Sequence, residues 1–75
     1  MTMLYIPYDD THPVYNSIHS VIGGFAMRST GPVAEWCMKN IGYRPWIYAR
    51  GGRDYGFEIE FRNDTAAALF KVKWL

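Results

Sequence analysis

The chain predicts an α+β domain, and three observations carry the prediction. Arg44–Phe61 alternates apolar and polar residues on either side of Gly51-Gly52, the pattern of an antiparallel hairpin. Val33, Trp36, Cys37 and Ile41 recur at helical spacing behind a Gly-Pro start. Asn63-Asp64-Thr65 then leads into Ala66–Leu75, a cap followed by a composition that favours helix. With 75 residues the chain makes one small α+β domain over residues 1–75. A domain of this size buries little of its surface, so the aromatic content of 17% must supply much of the core, at roughly 150–250 Å² per ring.

Taken in order, Met3–Tyr8 reads as a short strand, and Pro7, lacking a donor, places it at a sheet edge. Asp9-Asp10-Thr11 forms a turn, and Pro13 suits a first helical turn. Val14, Ile18, Val21, Ile22 and Phe25 then share one helical face, opposite Asn16, Ser17, Ser20 and Gly24. This predicts a helix from Pro13 that stops at Gly23-Gly24 or continues through it. A strand over Ser20–Met27 is the competing reading, because Val21, Ile22 and Phe25 also favour strands. If the helix continues, Ser17, Ser20, Gly24 and Arg28 make a smooth outer stripe.

Thr30 or Gly31 caps the next helix, Pro32 occupies its first turn, and Gly42 stops it. Glu35 and Lys39 form an i,i+4 pair on its outer side.

In the hairpin, a two-residue turn at Gly51-Gly52 sets Arg50 opposite Arg53, Tyr48 opposite Tyr55 and Trp46 opposite Phe57. Trp46, Tyr48, Tyr55, Phe57, Ile59 and Phe61 then share an apolar face. Ile47, Asp54, Gly56, Glu58 and Glu60 share the other. The last element is read as a helix with Ala66, Phe70 and Trp74 on one ridge, lying on the sheet's aromatic face. A short helical turn followed by a strand is the alternative, since Phe70, Val72 and Trp74 alternate with Lys71 and Lys73. A short strand, one or two helices, the hairpin and a terminal helix can assemble in a ferredoxin-like way.

The chemistry-bearing residues are few. His12 and His19 lie near Asp9 and Asp10, but a metal site needs three or four convergent ligands, so no metal is expected. Cys37 sits among Val33, Trp36 and Ile41, the position of a small buried hydrophobe. Glu58 and Glu60 point the same way from one strand, which suits a solvated face better than a glycosidase cleft. Neither glycine pair has the flanks of a phosphate-binding loop. No catalytic residue and no cofactor is therefore assigned, and an enzyme is the least expected class.

One cysteine and no basic leader or long apolar run point to a soluble chain in a reducing compartment, the cytoplasm, with no membrane partner. Net charge is +1, too small for a dedicated nucleic-acid binder. Even so, Arg28 onward carries +3 against −2 before it.

Tyr48-Ala49-Arg50-Gly51-Gly52-Arg53-Asp54-Tyr55 places arginines among tyrosines at a hairpin tip. Arginine and tyrosine are enriched where proteins bind one another, and the same pairing stacks on RNA. The candidate binding residues are Tyr48, Arg50, Arg53, Tyr55, Glu58 and Glu60. A protein partner, either a different protein or a second copy, is the first expectation. Nucleic acid held by Arg50, Arg53, Arg62, Lys71 and Lys73 is the second, and a structural piece of a larger assembly is the third.

Tyr55-Gly56-Phe57-Glu58-Ile59-Glu60-Phe61, then Asp64 and Phe70-Lys71-Val72-Lys73-Trp74, resembles the ending of small proteins of tailed bacteriophages. Those close with a strand, an acidic or Asn-containing turn and an aromatic-basic-aliphatic-basic-aromatic run. The resemblance covers under a third of the chain. It implies only a setting, an infected bacterial cytoplasm or a virion; the small size, the lack of a catalytic constellation and the surplus of aromatic residues are what favour a non-enzymatic modulator or inhibitor of a host complex as the role.

Overall fold

The computed structural model describes residues 1–51 and 55–75. Among these residues, five strands and three helices follow in the order β1 (Thr2–Pro7), α1 (Pro13–Asn16), β2 (Ile18–Val21), β3 (Gly24–Met27), α2 (Pro32–Asn40), β4 (Trp46–Arg50), β5 (Gly56–Phe61) and α3 (Asp64–Trp74). The strands form one sheet in the order β1-β5-β4-β3-β2, with every neighbouring pair antiparallel. The fold is α+β, with helices packed on an antiparallel sheet.

β1 is an edge strand, as Pro7 requires, and pairs with β5 along its whole length from Thr2↔Phe61 to Pro7↔Gly56. A ferredoxin-like sheet interleaves its crossovers. Here β2, β3, β4 and β5 are simply neighbours in chain order, and β1 closes the far side. The segment between β1 and β2 therefore travels from one edge to the other. It passes over the helix-bearing face, where Val14 is fully buried and the Tyr15 ring lies 5.1 Å from that of Phe57.

The long first helix does not form. α1 ends after one turn, with Ser17 as its cap and the Ser17 hydroxyl donating to the Pro13 carbonyl at 2.9 Å. Ile18–Val21 and Gly24–Met27 instead pair as a hairpin about Ile22-Gly23, with Gly23 at φ +89°. A two-residue hairpin turn favours a residue that tolerates positive φ, and the β-branched residues on either side prefer the extended chain. The smooth stripe of Ser17, Ser20, Gly24 and Arg28 dissolves with the helix.

α2 and α3 form where local signals place them. Gly31 takes the N-cap of α2 at φ +104°, Pro32 opens the helix, and Gly42 at φ +84° returns its N–H to the Cys37 carbonyl at 2.9 Å. Asn63 caps α3, its side-chain oxygen accepting from the Ala66 N–H at 2.9 Å. The core lies between the helices and one face of the sheet. Ile6, Ile47, Phe57, Ile59 and Phe61 face Val33 and Cys37 from α2 and Ala66, Ala67 and Phe70 from α3. Phe70 is fully buried, with ring centroids 5.2 Å from Phe61 and 5.9 Å from Trp36.

The main hairpin has a different register from the expected one. Trp46 pairs with Glu60, Ile47 with Ile59, Tyr48 with Glu58, Ala49 with Phe57 and Arg50 with Gly56. The expected Tyr48–Tyr55 and Trp46–Phe57 pairs therefore do not form, while Gly52 of the expected turn and Arg53, the expected partner of Arg50, lie outside the described residues. An odd shift in register exchanges the two faces of a strand. Ile47 therefore enters the core, and Trp46 and Tyr48 move to the face that carries Glu58 and Glu60. Two physical demands favour this register: the Ile47–Ile59 pair is buried, and Gly56 lies where β1 approaches too closely for a side chain.

Candidate functional site: the open face of the sheet

The helices cover one face of the sheet, and the strand alternation fixes what the other face shows. Where Leu4, Ile6, Ile47, Ile59 and Phe61 point inward, their neighbours Met3, Tyr5, Trp46, Tyr48, Glu58 and Glu60 point outward. Trp46 is 46% exposed and Tyr48 48%, large values for aromatic residues in the middle of a sheet. A groove of about 430 Å³ runs beside them, with Ala26, Met38, Tyr43 and Arg44 along its walls.

The side chains of this face hold one another. The Tyr48 hydroxyl donates to Glu60 Oε1 at 2.7 Å. Arg50 Nη1 lies 3.4 Å from Glu58 Oε1, and its guanidinium lies 4.9 Å from the centre of the Tyr5 ring. At the other end, the Arg62 guanidinium lies 4.3 Å from the Tyr43 ring and 5.6 Å from that of Trp46, and those two rings are 5.7 Å apart. The Tyr43 hydroxyl also accepts the Arg62 backbone N–H at 2.9 Å, so the chain reversal after β5 anchors this end.

The hydrogen bond to Glu60 raises the Tyr48 phenol above its ordinary value, reinforced by desolvation and by the carboxylate charge. The result is a row of rings flanked by two arginines, with two carboxylates between them. Planar groups restrained by contacts lose little entropy on binding, and arginine stacked on a ring already has its donors oriented.

Of the six candidate residues, Tyr48, Arg50, Glu58 and Glu60 come together here. Arg53 lies outside the described residues. Tyr55 does not join them. It falls on the Phe57 side of the strand, its ring 6.1 Å from Tyr8, and its carbonyl accepts from both the Tyr5 hydroxyl and the Tyr8 N–H at 2.9 Å.

Sequence reasoning missed Tyr5, Tyr43 and Trp46, and named Arg62 only as a residue that could hold nucleic acid. The signal for Tyr5 was its alternation with Leu4 and Ile6. For Trp46 it was the alternation with Ile47, which the assumed turn inverted.

The other chemistry-bearing residues lie elsewhere. Cys37 is fully buried with Sγ 4.0 Å from the Met27 sulfur, and burial pushes its thiol up to about 11. His12 caps α1, its Nδ1 accepting from the Val14 N–H at 3.1 Å. Among the described residues no three metal-ligating side chains converge, and no helix is long and apolar enough to cross a membrane. No family model, curated protein or solved structure matches this chain.

Proposed function

We propose that the chain is a non-enzymatic protein-interaction module that binds its partner through the open sheet face. One observation carries the reading. Trp46 and Tyr48 stand half exposed at the centre of a face that no element among the described residues covers, held between Arg50 and Arg62. Exposed tryptophan, tyrosine and arginine at the centre of a patch are the residue types that dominate binding energy between proteins.

Sheet faces with exposed rings also bind single-stranded RNA by stacking. On this face, however, Glu58 and Glu60 stand in the middle row, where a phosphate backbone would pass, and they balance the charge of Arg50 and Arg62. A protein surface with donors and acceptors of both signs suits it better. The phage-like ending supports the bacterial cytoplasm as the setting and hence a host protein as the partner; the small size and the lack of a catalytic constellation favour modulation of a host complex as the role.

The test is capture from bacterial lysate on the immobilised chain, followed by measurement of the affinity for the protein retained. Trp46→Ala together with Tyr48→Ala should cost at least about tenfold in affinity, since each hot-spot truncation exceeds roughly 1 kcal/mol, with the circular dichroism spectrum unchanged. Binding of single-stranded nucleic acid that falls steeply with salt, or a partner held equally well by the double variant, would overturn the reading.

A further inference from the structure

The helix-bearing side of the sheet is hollow at one end, across the sheet from Trp46 and Tyr48. Ile47 and Ala49 point the same way from β4. Ile47 is buried beneath the helices, whereas Ala49 is exposed. A cavity of about 470 Å³ opens at Ala49, walled by Tyr15, Phe25, Tyr55 and Phe57. That is the size of a small-molecule site. Each wall has a local origin. Phe57 pairs with Ala49 across the ladder, Phe25 comes from the neighbouring β3, and α1 carries Tyr15 over the sheet. Ala49, Gly51 and Gly56 complete the lining with no side chain larger than a methyl group. Arg50 reaches the rim, its guanidinium turned to the far face over Tyr5 and beside Glu58.

The rings are inclined to one another. Phe25 and Phe57 lie 5.0 Å apart at 65°, and Tyr15 and Phe57 5.1 Å apart at 48°. Tyr8 continues the row, 5.1 Å from Tyr15 and 6.1 Å from Tyr55. Rings at such angles make walls rather than a stack, and the face of each carries partial negative charge. Desolvation raises the Tyr15 phenol above its ordinary value, and the oxygens of Tyr8 and Tyr55 and the Asp10 carboxylate raise it further. The hollow is therefore electronegative as well as apolar, which favours a weakly hydrated cation. An ordinary ammonium brings three N–H donors, and the lining side chains offer them only the phenol oxygens of Tyr15 and Tyr55. A quaternary ammonium has no donor to satisfy and gives up its water at less cost.

We propose that this cavity binds a quaternary ammonium group, held among the rings of Tyr15, Phe25, Tyr55 and Phe57. Two sources carry that chemistry: a free choline-like molecule and the trimethylated side chain of a lysine in another protein. The cavity and the open sheet face lie on opposite sides of the sheet, so this site stands or falls independently of the function proposed above.

Titration of the full chain with choline chloride at constant ionic strength, followed by nuclear magnetic resonance of the ring protons, tests it. The resonances of Tyr15, Phe25 and Tyr55 should move and saturate by about 100 mM, as suits a small ligand. The uncharged analogue of choline, in which a tert-butyl group replaces the trimethylammonium, should bind about three- to thirtyfold more weakly, the share that the charge contributes. Phe25→Leu keeps an apolar side chain and removes one ring. It should weaken choline about threefold or more and leave the tert-butyl analogue within about twofold, with an unchanged circular dichroism spectrum. A peptide carrying trimethyllysine held more tightly than choline, and lost when the lysine is unmodified, supports the protein-borne source; choline held more tightly supports the free one. No ring shift up to about 100 mM choline, equal affinity for the tert-butyl analogue, or shifts centred on Trp46 and Tyr48 instead overturns the proposal.

Discussion

Replacing Gly56 with alanine should be among the most damaging single-methyl additions in this protein. A Cβ at Gly56 would collide with the Ile6 carbonyl oxygen, and it would also lie 3.0 Å from the Pro7 Cα and 3.1 Å from the Ile6 carbonyl carbon. All three obstacles are backbone, so no side chain can rotate aside. Relief requires the end of β1 to move away from β5. That movement strains two contacts that meet at the Tyr55 carbonyl, from the Tyr8 N–H and the Tyr5 hydroxyl, each 2.9 Å long.

Overpacking costs about 1–3 kcal/mol, and each weakened hydrogen bond adds about 0.5–1.5 kcal/mol. The better strand propensity of alanine offsets about 0.5–1 kcal/mol. The net loss is about 2–4 kcal/mol, against a total of about 4–11 kcal/mol for a domain of this length. At about 4–8 °C per kcal/mol, the melting temperature should fall by roughly 8–32 °C. Thermal unfolding followed by circular dichroism measures this. Gly51→Ala is the control, since its Cβ meets nothing within 4 Å and its φ lies outside the left-handed region. That variant should match the wild type within about 1 kcal/mol. A Gly56→Ala protein as stable as Gly51→Ala would refute the register of β1 on β5.

Three further outcomes are expected. Asn63→Ala removes the α3 cap and should lower stability in urea by about 1 kcal/mol, whereas Asn63→Asp should retain most of it. A thiol reagent near neutral pH should leave Cys37 unmodified in the folded chain and label it fully in denaturant, because the thiol is buried and pushed up to about 11; rapid native labelling would contradict that burial. Tyr48 should ionise above the ordinary tyrosine value of 10.0, since its neutral phenol donates to Glu60. The fold gains from that bond below the unfolded value and loses it as pH rises through the higher folded value, so Tyr48→Phe should remove one late component from the spectrophotometric titration.

The hairpin shows where a sequence pattern stops being decisive. Both strands of Arg44–Phe61 were legible, because their alternation is a local property of the chain. Their register was not, because a turn at Gly51-Gly52 sets Tyr48 opposite Tyr55 and Trp46 opposite Phe57, whereas Tyr48 pairs with Glu58 and Trp46 with Glu60. What decided it lies 50 residues away: β1 lies along β5 and needs Gly56 at the point of closest approach. The candidate site was half legible for the same reason. Glu58 and Glu60 fall on the correct face, while the expected register puts Tyr48, itself a candidate binding residue, and Trp46 on the face that the last helix covers. Tyr5, Tyr43 and Arg62 join them only through chain segments that the sequence does not mark as neighbours.

Pro13–Phe25 illustrates the other limit. Its apolar spacing fits a helix, yet the same residues suit strands, and the extended form is rewarded both by the pairing of β2 with β3 and by β4, which offers β3 an edge at Phe25↔Ile47 and Ala26↔Trp46.

Local signals are enough for the α+β class, the edge position of β1, α2 with both its ends and the capped start of α3, while they leave open whether Phe70–Trp74 finishes as helix or strand, which the structure resolves as helix. Each of those rests on groups within a few residues of one another: Gly31-Pro32, Gly42, and the Asn63 side chain against the Ala66 N–H. The tertiary structure alone decided the strand order, the register of β4 on β5, and therefore which rings stand in the core and which on the open face. Strand pairing is a contact between distant segments, and its energy resides in partners that no local window of the chain contains.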